Sequence, residues 1–209
     1  MSTVTRELNP DERARLLAHL LALSPEDRRL RFAHAISDEG LQQYVEGIDF
    51  ERNTLFVVTD SDLAVIGAAH VARDGEHAEL GVSVLPQARG SGIGAALLER
   101  SATHARNAGV RVLFMNCLVE NAPMLHLARK QGLQVAISSG DAEAFVRLPK
   151  PSLRSLASEA IAEKVGLVDH AHKSHWLALR GLWLASFGAK SEPASDDSKD
   201  DGKAQGASS

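Results

Sequence analysis

The segment Val84–Arg100, "VLPQARGSGIGAALLER", places the tightest constraint on the fold. Pro86, Gly90, Gly92 and Gly94 stand between a β-branched run and an Ala/Leu-rich amphipathic stretch, so a strand must end, turn and enter a helix within one short loop. Glycines at alternate positions leave backbone N–H groups unshielded by any Cβ, and the positive end of the helix dipole adds to their pull on an anion. A phosphate or pyrophosphate suits such a loop, and Arg89 offers a charge-assisted contact beside it. Taken alone, the glycines fit a plain turn equally well. Two familiar phosphate loops are excluded. The third glycine comes too early for a dinucleotide fingerprint, and a hairpin rather than an opening βαβ unit precedes it. No Gly-Lys-Ser/Thr follows, as a nucleoside-triphosphate loop requires.

The rest of the chain is organised around this loop. Asn9-Pro10 opens a helical pattern through Leu16, Leu17, Leu20 and Leu21. Ser24-Pro25-Glu26-Asp27 starts a second helix with a capping serine, a proline in the first turn and acids facing the dipole. Ser37-Asp38-Glu39 starts a third. After Phe50 the period changes: "TLFVVT", "LAVIGAAHVA" and "HAELGVSVL" read as strands joined by turns at Asp60-Ser61-Asp62 and Asp74-Gly75. Helix follows over 92–107, then the strand "RVLFMNCL", a helix over 121–131, and two strands flanking Gly140-Asp141. Helices, antiparallel meander, helix, strand, helix, strand, strand is the order of a mixed α+β sheet, not a doubly wound one. Composition shifts after Pro149-Lys150-Pro151. The organisation expected is a domain over 1–149, a C-terminal amphipathic helical extension over 150–188 and a disordered tail over 189–209.

With 209 residues, 44% hydrophobic and 24% charged, the chain is long enough for a real core. A formal charge of -4 gives no case for nucleic acid or an anionic membrane as partner. The single cysteine, Cys117, permits no disulfide framework and points to a cytoplasmic setting. The first residues carry early acids and no long apolar run, so neither a secretory signal nor a membrane span is expected there.

Arg89-x-x-Gly92-x-Gly94 followed by "AALLER" resembles the acyl-CoA signature of the GCN5-related N-acetyltransferases (GNAT family). "AELGVSVLPQARGSGIG" is similar to that family's central strand and pyrophosphate loop, and "VLFMNCLVENAPMLHLARKQGLQV" to its next strand and helix. "SPEDRRLRF" with "QQYVEGIDF" resembles the acetyltransferase domain of bacterial protein-lysine acetyltransferases, so the likeness runs from about Ser24 to Leu148. The resemblance implies a GNAT fold, with a mixed, mostly antiparallel central sheet flanked by helices. It also implies acetyl-CoA as cosubstrate and an amine as acceptor, either a protein lysine or a small molecule. Carried over residue by residue, the cofactor site is Val82, Val84, Arg89, Gly90, Ser91, Gly92, Ile93, Gly94 and Asn121. Glu79, on the strand before the loop, is the catalytic base so implied, with His77 as substitute.

One position departs from the family. Its pattern Asn-x6-Tyr-x3-Gly-Phe has Asn121 and Gly132 here, but Ala128 stands where the tyrosine would protonate the leaving thiolate. His126 lies two residues away, turned about 200° around a helix. Ala128 keeps a second reading open: a non-catalytic acyl-CoA-binding or sensing module that signals through its C-terminal helix. Cys117 is read as core, and Arg28, Arg29 and Arg31 as a solvated helix face beside the acceptor groove. His170, His172 and His175 lack the i, i+4 spacing of helical metal ligands, so no metal is expected. The stripe Trp176, Leu179, Trp183 and Phe187 suits packing on the same chain or a homodimer seam.

Overall fold

The computed structural model describes residues 3–138 and 141–187. The tail expected over 189–209 lies outside the described residues, as do the side chains of Trp183 and Phe187. The chain forms two compact units, Met1–Ser174 and His175–Ser209. In the second unit the described backbone, 175–187, is helical. Among the described residues no helix is long and apolar enough to cross a membrane.

Seven strands form one sheet in the order β1-β2-β3-β4-β5-β7-β6. They are β1 (Arg6–Glu7), β2 (Asn53–Thr59), β3 (Val65–Asp74), β4 (His77–Val84), β5 (Val112–Leu118), β6 (Gln134–Ser138) and β7 (Asp141–Arg147). All neighbours are antiparallel except β4 and β5, so the mixed, mostly antiparallel sheet expected from the element order is the one observed. The helices are α1 (Arg13–Leu21), α2 (Pro25–Phe32), α3 (Asp38–Glu46), α4 (Ile93–Asn107), α5 (Ala122–Lys130) and α6 (Leu153–Phe187). β1 was not foreseen. Two residues carry no periodic signal, and only pairing with Val57 and Phe56 makes Arg6–Glu7 a strand.

The helix starts follow their caps. Ser24 Oγ accepts from Asp27 N at 3.1 Å, Ser37 Oγ from Gly40 N at 3.1 Å, and Asn121 Oδ1 from Met124 N at 3.2 Å. Strand alternation then sorts side chains into two cores. Phe56, Val58, Leu80 and Val82 face Leu97, Leu98 and Ala128 of α4 and α5. Leu55 and Val57 turn to the opposite face, under Leu16 and Leu20 of α1 and Leu41 and Val45 of α3. On β4 this leaves His77, Glu79, Gly81 and Ser83 on the face of α1–α3.

The first turns of α6 are docked on the rest of the first unit through polar contacts. Ser155 Oγ donates to Asn107 Oδ1 at 2.6 Å, and Glu159 accepts from Asn107 Nδ2 at 2.6 Å and pairs with His104 Nδ1 at 2.7 Å. Burial works to raise the Glu159 pKa, but hydrogen bonds from Asn107 and His104 and the charge of Arg100 outweigh it and hold the carboxyl below its usual range. Further along, Gly166 lies so close to β1 that a Cβ would sit 2.7 Å from Thr5 O and 2.8 Å from Arg6 Cβ.

Two effects compete at that glycine. Alanine would add about 1 kcal/mol of helix propensity, but the overlap with fixed backbone costs about 1–3 kcal/mol. Gly166→Leu, with the larger overlap, is therefore expected to lower the melting temperature by roughly 3–10 °C for a chain of this size. Calorimetry checks this, and a melting temperature at or above that of the parent would show that α6 is not held at β1.

Candidate active site

Among the described strands, β4 and β5 are the one parallel pair, and their pairing is short: His77↔Val112, Ala78↔Leu113 and Glu79↔Phe114. β4 continues to Val84 and β5 to Leu118, so beyond Glu79 the two strands part. The phase of the β3–β4 ladder shows which backbone groups this exposes. Leu85 N–H donates to Ile66 O at 2.9 Å. Counting back along the continuous register, Ser83 and Gly81 turn their N–H and C=O groups to β3, and Val82 and Val84 turn theirs to the opening.

A cavity of about 400 Å³ fills the opening. β4 contributes Val82, Ser83 and Val84 to its wall, α2 contributes Asp27, Leu30 and Arg31, and α5 contributes Met124, His126, Leu127 and Lys130, with Asn121 at the α5 cap. The floor is the glycine loop. Gly90 (φ +76°) and Gly92 (φ +87°) are left-handed, and a Cβ at either would meet nothing within 4 Å, so conformation rather than space demands glycine there. Gly94 has the opposite reason, since its Cβ would press on Leu127 Cδ2 at 3.2 Å. Gly92 caps α4 without a side-chain hydrogen bond, and the helical ladder begins with Ala96 N donating to Gly92 O at 3.0 Å. The N–H groups of the first turn are thus left for an anion seated in the cavity.

Arg89 locks the loop in place. Its Nε donates to Val84 O at 3.1 Å and its Nη2 meets Asp27 Oδ1 at 2.7 Å, joining the end of β4 to α2. Partial burial acts to raise the Asp27 pKa, yet the bonds from Arg89 and Ser24 prevail and hold it low. Asn121 donates from Nδ2 to Leu30 O at 3.3 Å, bridging α5 to α2.

The face of β4 toward α1–α3 carries a polar cluster. His19 Nδ1–H donates to Val65 O at 2.9 Å, so Nε2 accepts from Ser83 Oγ at 2.8 Å. Tyr44 OH and His70 Nδ1 are 2.6 Å apart. The Arg31 guanidinium lies on β4 at Gly81, where any Cβ would overlap it. Burial first, and then the Arg31 charge, push both His19 and His70 down to about 4, the Val65 bond opposing this at His19.

Residues 15–133 match the Acetyltransferase (GNAT) family. The chain belongs to the GNAT acetyltransferases. Solved structures agree in fold. The GNAT domain of S. lividans PAT is 22% identical, with TM-score 0.61, over 69% of this chain and 89% of its own. YncA of Salmonella typhimurium, solved with its cofactor acetyl-CoA, is 18% identical with TM-score 0.54, over 73% of this chain and 97% of its own. Spermidine N-acetyltransferase of Vibrio cholerae, solved with CoA and spermine, is 16% identical with TM-score 0.55, over 69% and 95%. The family's cosubstrate is acetyl-CoA.

Of the positions expected from the GNAT resemblance, Val82, Val84, Arg89, Gly90, Gly92, Ile93, Gly94 and Asn121 line the one cavity. Ser91 is not on its wall, and its hydroxyl donates to Ala88 O at 2.5 Å. Glu79 also lies off the cavity wall, exposed on the α1–α3 face, where Asn116 Nδ2 donates to it at 3.3 Å. Ala128 is fully buried in the core, whereas His126, turned away from it around α5, stands at the cavity. Cys117 is buried, donates to Ala142 O at 3.4 Å, and has its thiol pKa raised by burial, which fits a core residue.

One expectation is corrected. Arg28 and Arg31 are withdrawn from solvent, whereas Arg29 makes its ion pairs at the surface. Arg28 bonds Leu21 O, Leu23 O and Asp38, Arg29 pairs with Glu26 and Glu120, and Arg31 is half-buried against β4. The signal that could have placed Arg31 was Gly81, a glycine inside a strand, which marks a close approach.

Because His19 and His70 titrate near 4 in the fold and near 6.5 unfolded, the unfolded chain binds more protons between those values. Stability is therefore complete above pH ~6.5 and falls as pH drops toward ~4. Urea denaturation across this window is expected to approach about two protons taken up on unfolding, and His70→Gln should remove about half of that slope. A flat profile between pH 5 and 6.5 would show that these histidines are not held neutral.

Proposed function

We propose that this chain is an N-acetyltransferase that moves an acetyl group from acetyl-CoA to an amine by direct attack, without a covalent enzyme intermediate. The observation that carries the reading is the parting of β4 from β5 into a cavity whose floor is the uncapped, glycine-lined start of α4. The loop N–H groups would hold the pyrophosphate, and Val82 and Val84 would flank the pantetheine arm. A backbone N–H on this stretch of β4 would polarise the thioester carbonyl, where developing charge rewards a fixed donor.

A lysine-like amine near pKa 10.4 is deprotonated in only about one molecule in 10³ at neutral pH, a handicap of roughly 4 kcal/mol. Glu79 is the proposed base that offsets it, acting through water because it stands off the cavity wall. The ammonium first gives one proton through water to Glu79; the neutral amine nitrogen then bonds to the thioester carbon, the C–S bond breaks with its electron pair leaving on sulfur, and the second N–H proton passes through water to that thiolate. A protein lysine is the acceptor that the N-terminal resemblance favours. The cytoplasm, reducing and supplied with acetyl-CoA, suits a chain whose single thiol is buried and unpaired.

Ala128 favours a second reading, binding without turnover, since no hydroxyl stands at its position. Melting with and without saturating acetyl-CoA tests what both readings share. A hundredfold excess over Kd adds about 2.7 kcal/mol, a shift of roughly 5–10 °C, and Gly92→Glu is expected to abolish it. Glu79→Gln should keep the shift and lose about 10²–10⁴ in turnover. A thermal shift with no acetylation across a broad amine panel selects the binding module.

A further inference from the structure

Arg31 stands out among the cations of α2. Arg28 and Arg29 each pair with a carboxylate, and Arg89 across the cavity pairs with Asp27. Among the described residues Arg31 has no carboxylate partner, and of its five N–H donors one alone reaches a protein acceptor, Tyr44 OH at a long 3.5 Å. Its guanidinium lies 4.9 Å from the Phe32 ring centroid. Glu79, two positions from Gly81 on the same face, is engaged with Asn116 instead. His19 and His70 next to it are neutral at physiological pH, so nothing in that cluster balances the charge.

The place of this cation is as telling as its isolation. The missing side chain of Gly81 lets the guanidinium lie on β4 one residue before Val82, where the strand opens, and Arg31 forms part of the cavity wall with Ser83. A planar fork with free donors, half-withdrawn from water at the end of a ligand cavity, is matched by a carboxylate, which accepts two parallel N–H bonds. Acetyl-CoA, laid with its pyrophosphate on the glycine loop, brings no carboxylate to this end.

Resting on the acetyltransferase reading above, we propose that the amine acceptor carries its own carboxylate, held by Arg31 beside the reacting end of β4. Arg31 is then the residue that selects the acceptor. It orients the amine toward the thioester without entering the chemistry.

The experiment measures acetyl-CoA-dependent thiol release from the full chain with paired acceptors: free amino acids against their carboxamides, and lysine peptides with a neighbouring Glu against the same peptides with Gln. The carboxamide of an amino acid has the less basic and so more readily deprotonated amine, so any preference for the carboxylate cannot come from ionisation. The expected result is a preference of at least about tenfold in kcat/KM for the carboxylate member. Arg31→Gln should bring the ratio to about one, and Arg31→Lys should leave it between. Preference confined to free amino acids identifies a small-molecule acceptor, and preference confined to the peptides identifies a protein lysine beside an acid. Equal use of both members by the parent protein overturns the proposal, as does a ratio that Arg31→Gln leaves intact in protein with an unchanged melting temperature. Where no acceptor turns over, calorimetry of the same pairs on the CoA-loaded protein decides, and failure of every carboxylate member to bind overturns it. An acetyl-CoA thermal shift without carboxylate preference refutes this inference alone, and absence of the shift removes the acetyltransferase reading and this inference together.

Discussion

The parallel pairing of β4 with β5 ends after Glu79↔Phe114, and the rest of the site depends on that ending. Two strands that separate inside a sheet leave rows of backbone donors and acceptors without partners, which costs free energy unless other groups or solvent meet them. Here Val84 O is met by Arg89. The cavity stays open because the group that meets this carbonyl comes from the loop, not from a strand that would close the ladder. α2 is held in turn by Asp27–Arg89, Arg29–Glu120 and the Asn121 bond to Leu30 O, so the cavity wall is assembled by contacts far apart in sequence.

Charge is distributed unevenly around this opening. On the loop side Arg89 is balanced by Asp27. On the α1–α3 side Arg31 keeps its charge while His19 and His70 give theirs up. In a partly desolvated setting a single cation is enough to disfavour a second, and burial acts in the same direction. The hydrogen bonds then fix one tautomer: Val65 O takes the His19 Nδ1 proton and leaves Nε2 to receive the Ser83 hydroxyl. The polar cluster is therefore ordered without carrying further positive charge.

Much of this was legible in the sequence because it is local. Capping Ser24, Ser37 and Asn121, the turn residues, and the change from helical to strand period around Phe50 act over a few residues, and the elements they mark appear where expected. The glycine loop was legible for the same reason, since a left-handed φ at Gly90 and Gly92 is a property of those residues and their neighbours. The polar cluster on the α1–α3 face was not. His19 sits among leucines of α1, Ser83 and His70 alternate with apolar strand residues, and Arg31 shares a helix with arginines that do pair outward. Only the register of β3 on β4 and the packing of α1–α3 over it bring them together, and such long-range placement leaves no spacing to read. The Ser91 hydroxyl turns inward to Ala88 O, which no motif records.

The substitution at Ala128 is better understood from what each half of an acyl transfer demands. The amine must lose a proton from a pKa about three units above neutral, whereas a thiol near 8.5 leaves as a thiolate only one to two units away from it. Proton management therefore matters more on the amine side than on the sulfur side. Glu79, Ser83, Tyr44 and Arg31 gather on the α1–α3 face of β4, while α5 offers the opening Met124, His126, Leu127 and Lys130, with Ala128 sealed in the core behind them. A phenolic acid at position 128 would have to displace part of a fully buried packing shell to reach the cavity, at a cost typical of overpacked cores of about 1–3 kcal/mol. That is comparable to what protonating so good a leaving group would return, so Ala128 is consistent with catalysis as well as with binding alone.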